Sequence, residues 1–388
     1  MAKSNKKAAI LPIMFGFFIM GFVDIIGMTV NYVSSDFESL SGAMVSLLTS
    51  SCFVWFLILS VPTGLLMNRI GRKNTVLLSF LVQILAFSLI IVDYAFATVV
   101  VAFSLVGIGN TMLQVALNPL VTNVISPEKQ TGVISIGQLA KALCSFTGPL
   151  LVSLFVGTSY GWKYIFPLYA AISLLGFVWL ALTPVQREKP EDSGSSFAAT
   201  FGLFRDKMIL AFFVAILVLV GVDVGMNVTF PKYLQDTCGM DLDSAALCNS
   251  VYFLSRTIGA LIGGVLLLRI AEERFYIVSV LLALAGLIML VLVREKVLAL
   301  IGVSVFGLGY SNLFAIVVSM AMKRKPERSN EISSLMIMGC AGGGILPPLI
   351  GIITDAAGNQ WSAILVLAVV WIYMFTLTGK IKKINSNV

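Results

Sequence analysis

Four ionisable side chains lie deep inside otherwise apolar stretches of this sequence: Asp24, Lys141, Asp223 and Arg256. Lys141 stands well inside "GVISIGQLAKALCSFTGPLL" (132–151), a stretch that reads as membrane-spanning. A lysine at that depth costs roughly 2.5–3.5 kcal/mol on insertion scales. Two acids balance two bases, and opposite charges sharing a wet cavity cost far less than isolated ones. A carboxylate so placed can take up and release a proton, and a cation beside it can hold it ionised. Asp24 and Asp223 are therefore the candidates for proton coupling. Static ion pairs that only hold helices together are the competing reading, strongest for the Gly-flanked Arg256.

Neutral polar residues share helical faces with these charges. Asn110, Gln114 and Asn118 recur at i, i+4, i+8, and Gln138, Lys141 and Ser145 at i, i+3, i+7. Asp24 lines up with Asn31, Asp223 with Asn227, Asn249 with Arg256, and Asn312 with Ser319. In lipid such faces must turn into the protein. An amide both donates and accepts, which matches sugar hydroxyls that do the same. The expected substrate-binding set is Asn31, Asn110, Gln114, Asn118, Gln138, Lys141, Asn227, Asn249, Arg256 and Asn312. Tyr32, Trp55, Phe230, Tyr252, Phe253, Tyr310 and Phe314 could cover a sugar's apolar face, although packing and membrane-interface roles are ordinary for such residues.

The elements that must position these residues follow from composition. The chain has 388 residues, 58% hydrophobic and 12% charged, with a mean hydropathy of +0.98. Soluble domains carry about 25% charged residues, so lipid is the solvent here. Apolar runs of spanning length fall at 9–33, 42–67, 74–92, 96–125, 132–157, 162–184, 207–234, 244–268, 275–293, 297–322, 331–354 and 360–380. The fold class expected is an all-α membrane protein of twelve transmembrane helices in two six-helix bundles. "TPVQREKPEDSGSSF" (183–197) divides the chain by composition, giving bundles at 1–184 and 207–388 joined by a linker at 185–206.

Of the 26 Lys and Arg, 20 fall on one side of this arrangement, four on the other and two within spans. That bias places both termini in the cytoplasm. It also explains the net charge of +7 without nucleic acid. The first apolar run is long enough to span and no cleavage site follows it, so no removable leader is expected. There is no histidine, which removes His acid/base chemistry and His metal ligands; no metal and no cofactor are expected. The cysteines (52, 144, 238, 248, 340) show no CxxC spacing and read mostly as small packing residues. Cys238 and Cys248 bracket an outward loop, where a disulfide is chemically allowed.

At 1.5 Å per residue, Lys141 lies about 13 Å from the cytoplasmic boundary, Gln114 about 16 Å, Arg256 about 18 Å, and Asp24 and Asp223 about 22–24 Å. A lysine reaches several ångströms along its stem, so a Lys141–Asp24 pair is allowed.

The two halves repeat. "GLLMNRI" (64–70) matches "GVLLLRI" (264–270), and "FSLVGIGN" (103–110) matches "VSVFGLGY" (303–310), both at an offset of 200 residues. The two acids are offset by 199. Duplicated bundles with a midplane site between them are how secondary transporters are built.

"PTGLLMNRIGRKN" (62–74) resembles the signature loop of the major facilitator superfamily, with Asn68 where that loop usually has an acid. "GIGNTMLQVALNPLVTNVISPE" (107–128), "FLSRTIGALIGG" (253–264) and "AGGGILPPLIGIITDAAGN" (341–359) together resemble the fucose permease family of fucose–galactose–glucose:proton symporters. The resemblance implies substrate-plus-proton import by alternating access. It also marks departures. The family carboxylate four residues before the Asn of Asn-Pro is Gln114 here, and the Asn three residues after the span-5 Gln is Lys141. The family acid of span 1 falls near Gly27 or Met28, one turn beyond Asp24.

The reading is a proton-coupled importer of a sugar or sugar derivative in a bacterial cytoplasmic (inner) membrane, a monomer contacting lipid and a small-molecule substrate. Lys141 has two possible roles: counter-charge to Asp24, or ligand for an anionic sugar of the uronic or sialic acid type. Sodium coupling and uniport stay open because Gln114 removes a carboxylate. A drug/proton exporter would want an apolar pocket instead of amide stripes. Enzyme and receptor readings lack a catalytic set and a soluble domain.

Overall fold

The computed structural model describes the chain except for residues 1, 27–28, 30–31, 34–35, 38–41, 157, 159–160, 189–195, 241 and 386–388. Among the described residues there is no strand. Among the described residues nine helices are long and apolar enough to cross a membrane, and Ala9–Asp24 and Ser250–Leu266 are shorter apolar helices. Exposed aliphatics such as Leu57, Leu85, Leu154, Leu174, Ile288 and Ile352 cover helix surfaces that suit lipid.

The chain forms two compact units, Met1–Gln130 with Gly137–Leu203 and Met322–Met338, and Thr131–Ile136 with Phe204–Ala321 and Gly339–Val388. The first unit holds α1 (Ala2–Met20), a 3-10 turn at Gly21–Ile25, α2 (Gly42–Ile70), α3 (Arg72–Val92), α4 (Phe96–Thr122), most of α5 (Pro127–Val156), α6 (Ile165–Leu182) and the short α7 (Phe197–Gly202). The second holds α8 (Lys207–Cys238), α9 (Leu242–Leu266), α10 (Glu272–Leu292), α11 (Lys296–Tyr310), most of α12 (Leu313–Arg324), α14 (Gly342–Ala357) and α15 (Trp361–Asn385). The intervening α13 (Ser329–Met338) packs on α2 and α4 of the first unit.

Glycine contacts repeat with the sequence. A Cβ on Gly107 of α4 would collide with the Cys52 carbonyl of α2, and one on Gly307 of α11 would sit 3.1 Å from the Tyr252 carbonyl of α9. A Cβ on Gly109 would lie 3.1 Å from the Ser79 carbonyl, and one on Gly309 2.6 Å from that of Ser279. All four contacts keep the 200-residue offset.

Three expected spans are interrupted. The first changes from α-helix to 3-10 at Gly21–Ile25. The span expected at 297–322 breaks at Ser311–Asn312, where Asn312 donates to the Gly259 carbonyl (2.7 Å). At the same break Ser311 Oγ donates to the Leu308 carbonyl (2.9 Å), a local bond of the kind that competes with the helix ladder. The span expected at 331–354 breaks at Gly339–Ala341, ahead of three glycines that weaken helix propensity. Outside the spans, N–H groups of Val297 and Leu298 cap α11 on Glu295 and hold its carboxyl below the usual range. All five cysteines are free, so Cys238 and Cys248 form no disulfide.

Gly71, at φ +90°, turns α2 into α3. Arg72 follows it and is 5% exposed. Its Nε donates to Asn330 Oδ1 (2.8 Å) and its Nη2 to Ser329 Oγ (2.6 Å). Its Nη1 donates to the Pro119 carbonyl (3.0 Å), Thr122 Oγ1 (2.8 Å) and Asn123 Oδ1 (2.7 Å). Beside it, Asn330 Nδ2 donates to Asn68 Oδ1 (2.5 Å), and Asn68 Nδ2 donates to Glu331 Oε1 (3.3 Å). Glu331 is 1% exposed and pairs with Arg328 at 3.3 Å. The acid missing at position 68 is thus present next door, supplied by α13.

Candidate functional site

In the first unit a glycine builds the site. A Cβ on Gly21 would sit 2.8 Å from the Lys141 carbonyl and 2.7 Å from Cys144 Cβ, so only glycine lets this backbone approach α5 so closely. Three residues on, the 3-10 turn presents Asp24 to the same face of α5. Lys141 Nζ lies 3.7 Å from Asp24 Oδ1, and Ser145 Oγ lies 2.5 Å from Asp24 Oδ2. The Asp24 side chain is 37% exposed and that of Lys141 23%. This carboxylate is partly exposed within an apolar span.

The second unit carries a different pair. Arg256 Nη1 donates to Asp223 Oδ1 at 2.6 Å, and the Tyr252 hydroxyl donates to the same oxygen at 2.7 Å. Asn227 Nδ2 approaches it at 3.4 Å. The Arg256 guanidinium lies over the Tyr310 ring, 4.8 Å from its centroid, and 5.4 Å from that of Tyr252. A short charge-assisted bond supported by an O–H donor and two rings is a held arrangement. The Lys141–Asp24 contact is longer than a hydrogen bond.

Arg256→Ala is accordingly expected to lower stability by roughly 3 kcal/mol, because Asp223 loses its charge partner at a site only 17% exposed. Adding Asp223→Asn should restore most of that loss. Thermal melting of the purified single and double variants checks it; equal melting temperatures for Arg256→Ala and wild type would show that the pair carries no stability.

The amides divide. Asn110, Gln114 and Asn118 are buried along α4 and bond largely to one another's residues. Gln114 Nε2 donates to Asn110 Oδ1 (2.7 Å), Asn118 Nδ2 to the Gln114 carbonyl (3.1 Å), and Asn110 Nδ2 to the Met20 carbonyl (2.8 Å). Gln138 Nε2, Asn118 Oδ1, Asn227 Oδ1 and Asn312 Oδ1 have no hydrogen-bond partner among the described residues. Asn31, Gly27 and Met28 lie outside the described residues. Asn249 is in α9, with its side chain outside them.

Sequence reasoning passed over several members. Ser145 stood on the α5 stripe without a role, and Tyr252 and Tyr310 were considered only as ring faces. Tyr252 is one helical turn from Arg256, and that i, i+4 spacing is the signal that could have joined them. Gln83 is fully buried on α3, and neither end of its amide has a partner among the described residues; a lone glutamine mid-span was its signal.

Repeated apolar helical bundles with charge pairs set inside their spans define a multi-pass membrane transporter. The profile of the Major Facilitator Superfamily matches residues 13–348 and, again, 226–383, and the chain belongs to that family. It is similar to a protein named "Glucose/galactose transporter" from Brucella abortus biovar 1 (strain 9-941), 22% identical over 97% of this chain and 95% of that one. A "Putative glucose/galactose transporter" from Helicobacter pylori (strain J99 / ATCC 700824) is 22% identical over the whole of both chains. The crystal structure of the E. coli fucose:proton symporter FucP superposes with a TM-score of 0.84 at 20% identity, covering 95% of this chain and 97% of that one. These relatives are transporters, and this chain is a transporter and not an enzyme.

Proposed function

We propose that this transporter imports a sugar or sugar derivative with a proton, by alternating access, across a bacterial cytoplasmic membrane. The observation that carries the reading is unspent amide capacity next to a titratable pair. Gln138 lies one turn from Lys141 on α5 and Asn227 one turn from Asp223 on α8, each with an amide atom lacking a partner among the described residues. Amide groups in this state suit hydroxyl-rich solutes better than apolar drugs. The names of the sugar-transporting relatives favour the same solute class.

In this reading Asp24 is the first candidate for the coupling proton and Asp223 the second. Asn31, Asn110, Gln114, Asn118, Gln138, Lys141, Asn227, Asn249, Arg256 and Asn312 contribute to substrate binding. Twelve spans with cytoplasmic termini, bundles at 1–184 and 207–388 around a linker at 185–206, and a monomeric carrier complete it. The two shorter apolar helices and α5 would bring the nine long ones to twelve.

Counterflow in proteoliposomes tests the reading with glucose, galactose, fucose and acidic sugars, with and without an acidic-outside pH gradient. Sugar uptake stimulated by the gradient is expected. Uptake driven only by sodium, or indifferent to both ions, would overturn proton coupling; no sugar counterflow at all would overturn the substrate class.

A further inference from the structure

Lys141 is loosely held for a charge deep inside an apolar span. Its ammonium has three donors, yet it makes no hydrogen bond to any described residue, and its one ion-pair contact among those residues is the 3.7 Å approach to Asp24. Asp24 does not depend on that contact alone, because Ser145 donates to its other oxygen at 2.5 Å. Ser145 also has a second acceptor, the Lys141 carbonyl at 3.0 Å. One hydroxyl proton cannot serve both acceptors at once.

We propose that Asp24, Lys141 and Ser145 form a proton-gated anion site, in which protonation of Asp24 releases the Lys141 ammonium to bind the carboxylate of an acidic sugar. This rests on the sugar-symport reading and narrows its substrate class. With Asp24 ionised, Lys141 is neutralised and the Ser145 hydroxyl points to the acid. When a proton from the outer solution arrives on Asp24, the pair loses its attraction. Ser145 then turns to the Lys141 carbonyl or accepts from the new acid O–H. Lys141 is left with uncompensated positive charge beside Gln138, one turn away on the same face.

A carboxylate bound there restores neutrality, so one proton and one anion travel together with no net charge. Delivery of the anion inside lets Lys141 return to Asp24, and the proton leaves to the inner solution. Arg256 is the poorer candidate for this role, because its partner Asp223 is held at 2.6 Å and by Tyr252. The other titratable groups facing Asp24 are Cys144 on α5, Cys52 on α2 and Tyr169 on α6. All three are uncharged as thiol or phenol, so among the described residues Lys141 is the one cation facing Asp24.

The test is binding to the purified full chain, with D-glucuronate and N-acetylneuraminate as anionic probes and D-glucose as the neutral one, from about pH 8 to about pH 5.5. Both anions stay ionised over that range, so any pH dependence belongs to the protein. At least one anion is expected to bind about tenfold or more tightly at the acidic end, as linkage to one proton allows, with glucose much less affected. Lys141→Ala should weaken that anion by on the order of 30-fold or more and flatten its pH profile, and Lys141→Arg should retain both.

Asp24→Asn provides an arm that keeps the cation. Neutral asparagine imitates the protonated acid, so this variant should bind the anion at pH 8 as tightly as wild type does at pH 5.5. Glucose binding with neither anion gaining affinity at low pH would overturn the proposal and leave the sugar reading standing. An Asp24→Asn variant with the pH profile of wild type would also overturn it. Binding of none of the three probes would instead bring down the sugar reading on which it rests.

Discussion

Asp24→Asn is expected to abolish accumulation against a gradient while leaving exchange of substrate across the membrane measurable. Asparagine keeps the size and one acceptor of the carboxyl but cannot carry a proton, so the variant behaves as a carrier locked in its protonated form. Ser145 can still donate to it, and the close approach of Gly21 to α5 is untouched. Folding should therefore survive. Uptake driven by an acidic-outside gradient should fall to simple equilibration, whereas counterflow should persist. Both are read in the same proteoliposomes. A variant that still concentrates substrate would show that Asp24 is not the coupling group and would transfer that role to Asp223.

Asn68→Asp should be among the most damaging single substitutions in the first unit, although it restores the acid usual in such loops. Asn68 Nδ2 donates to Glu331 Oε1 at 3.3 Å, and Glu331 is 1% exposed. An aspartate would lose that donor and place a second carboxylate against a buried one. Stranding charge in this way costs roughly 3–5 kcal/mol. Glu331→Gln added to Asn68→Asp should recover most of the loss, because one acid per site is again present and the amide can donate to it. Melting temperatures of the two single variants and the double variant form the cycle that measures the coupling. Losses that simply add would show that the two positions do not interact.

How much of this was legible in the sequence differs between elements. Apolar length announces the spans, since lipid leaves the backbone few alternatives to helix. The breaks at Ser311–Asn312 and Gly339–Ala341 were less visible, because hydropathy averages over them. Depth along the helix suggested that Lys141 could reach Asp24, and the structure places them 3.7 Å apart. Static pairing was the competing expectation, strongest for Arg256, but Asp223 was not singled out as its partner, because sequence gives height within a span but not which faces of two helices meet. The Arg72 network was half legible. Its loop signalled itself through glycines and basic residues, but its partners Ser329, Asn330 and Glu331 lie more than 250 residues away. Nothing local marks those residues as buried. Polar residues at a span's edge ordinarily read as solvated, and burial of all of α13 is a tertiary fact.

The glycine contacts at 107 and 307 and at 109 and 309 keep the 200-residue register, whereas the acids at 24 and 223 miss it by one. One residue is a rotation of about 100° on a helix, enough to aim a side chain at a different neighbour. At the strict offset, Asp24 corresponds to Val224, Lys141 to Ala341 and Arg256 to Phe56. The two halves therefore share the glycine frame while their intramembrane charges stand at different places. A chimera built from two copies of the first half would inherit matching glycine seams but two Lys–Asp pairs and no Arg–Asp bond. Ancestry in this molecule is written in the residues that lack side chains, and specialisation in those that titrate.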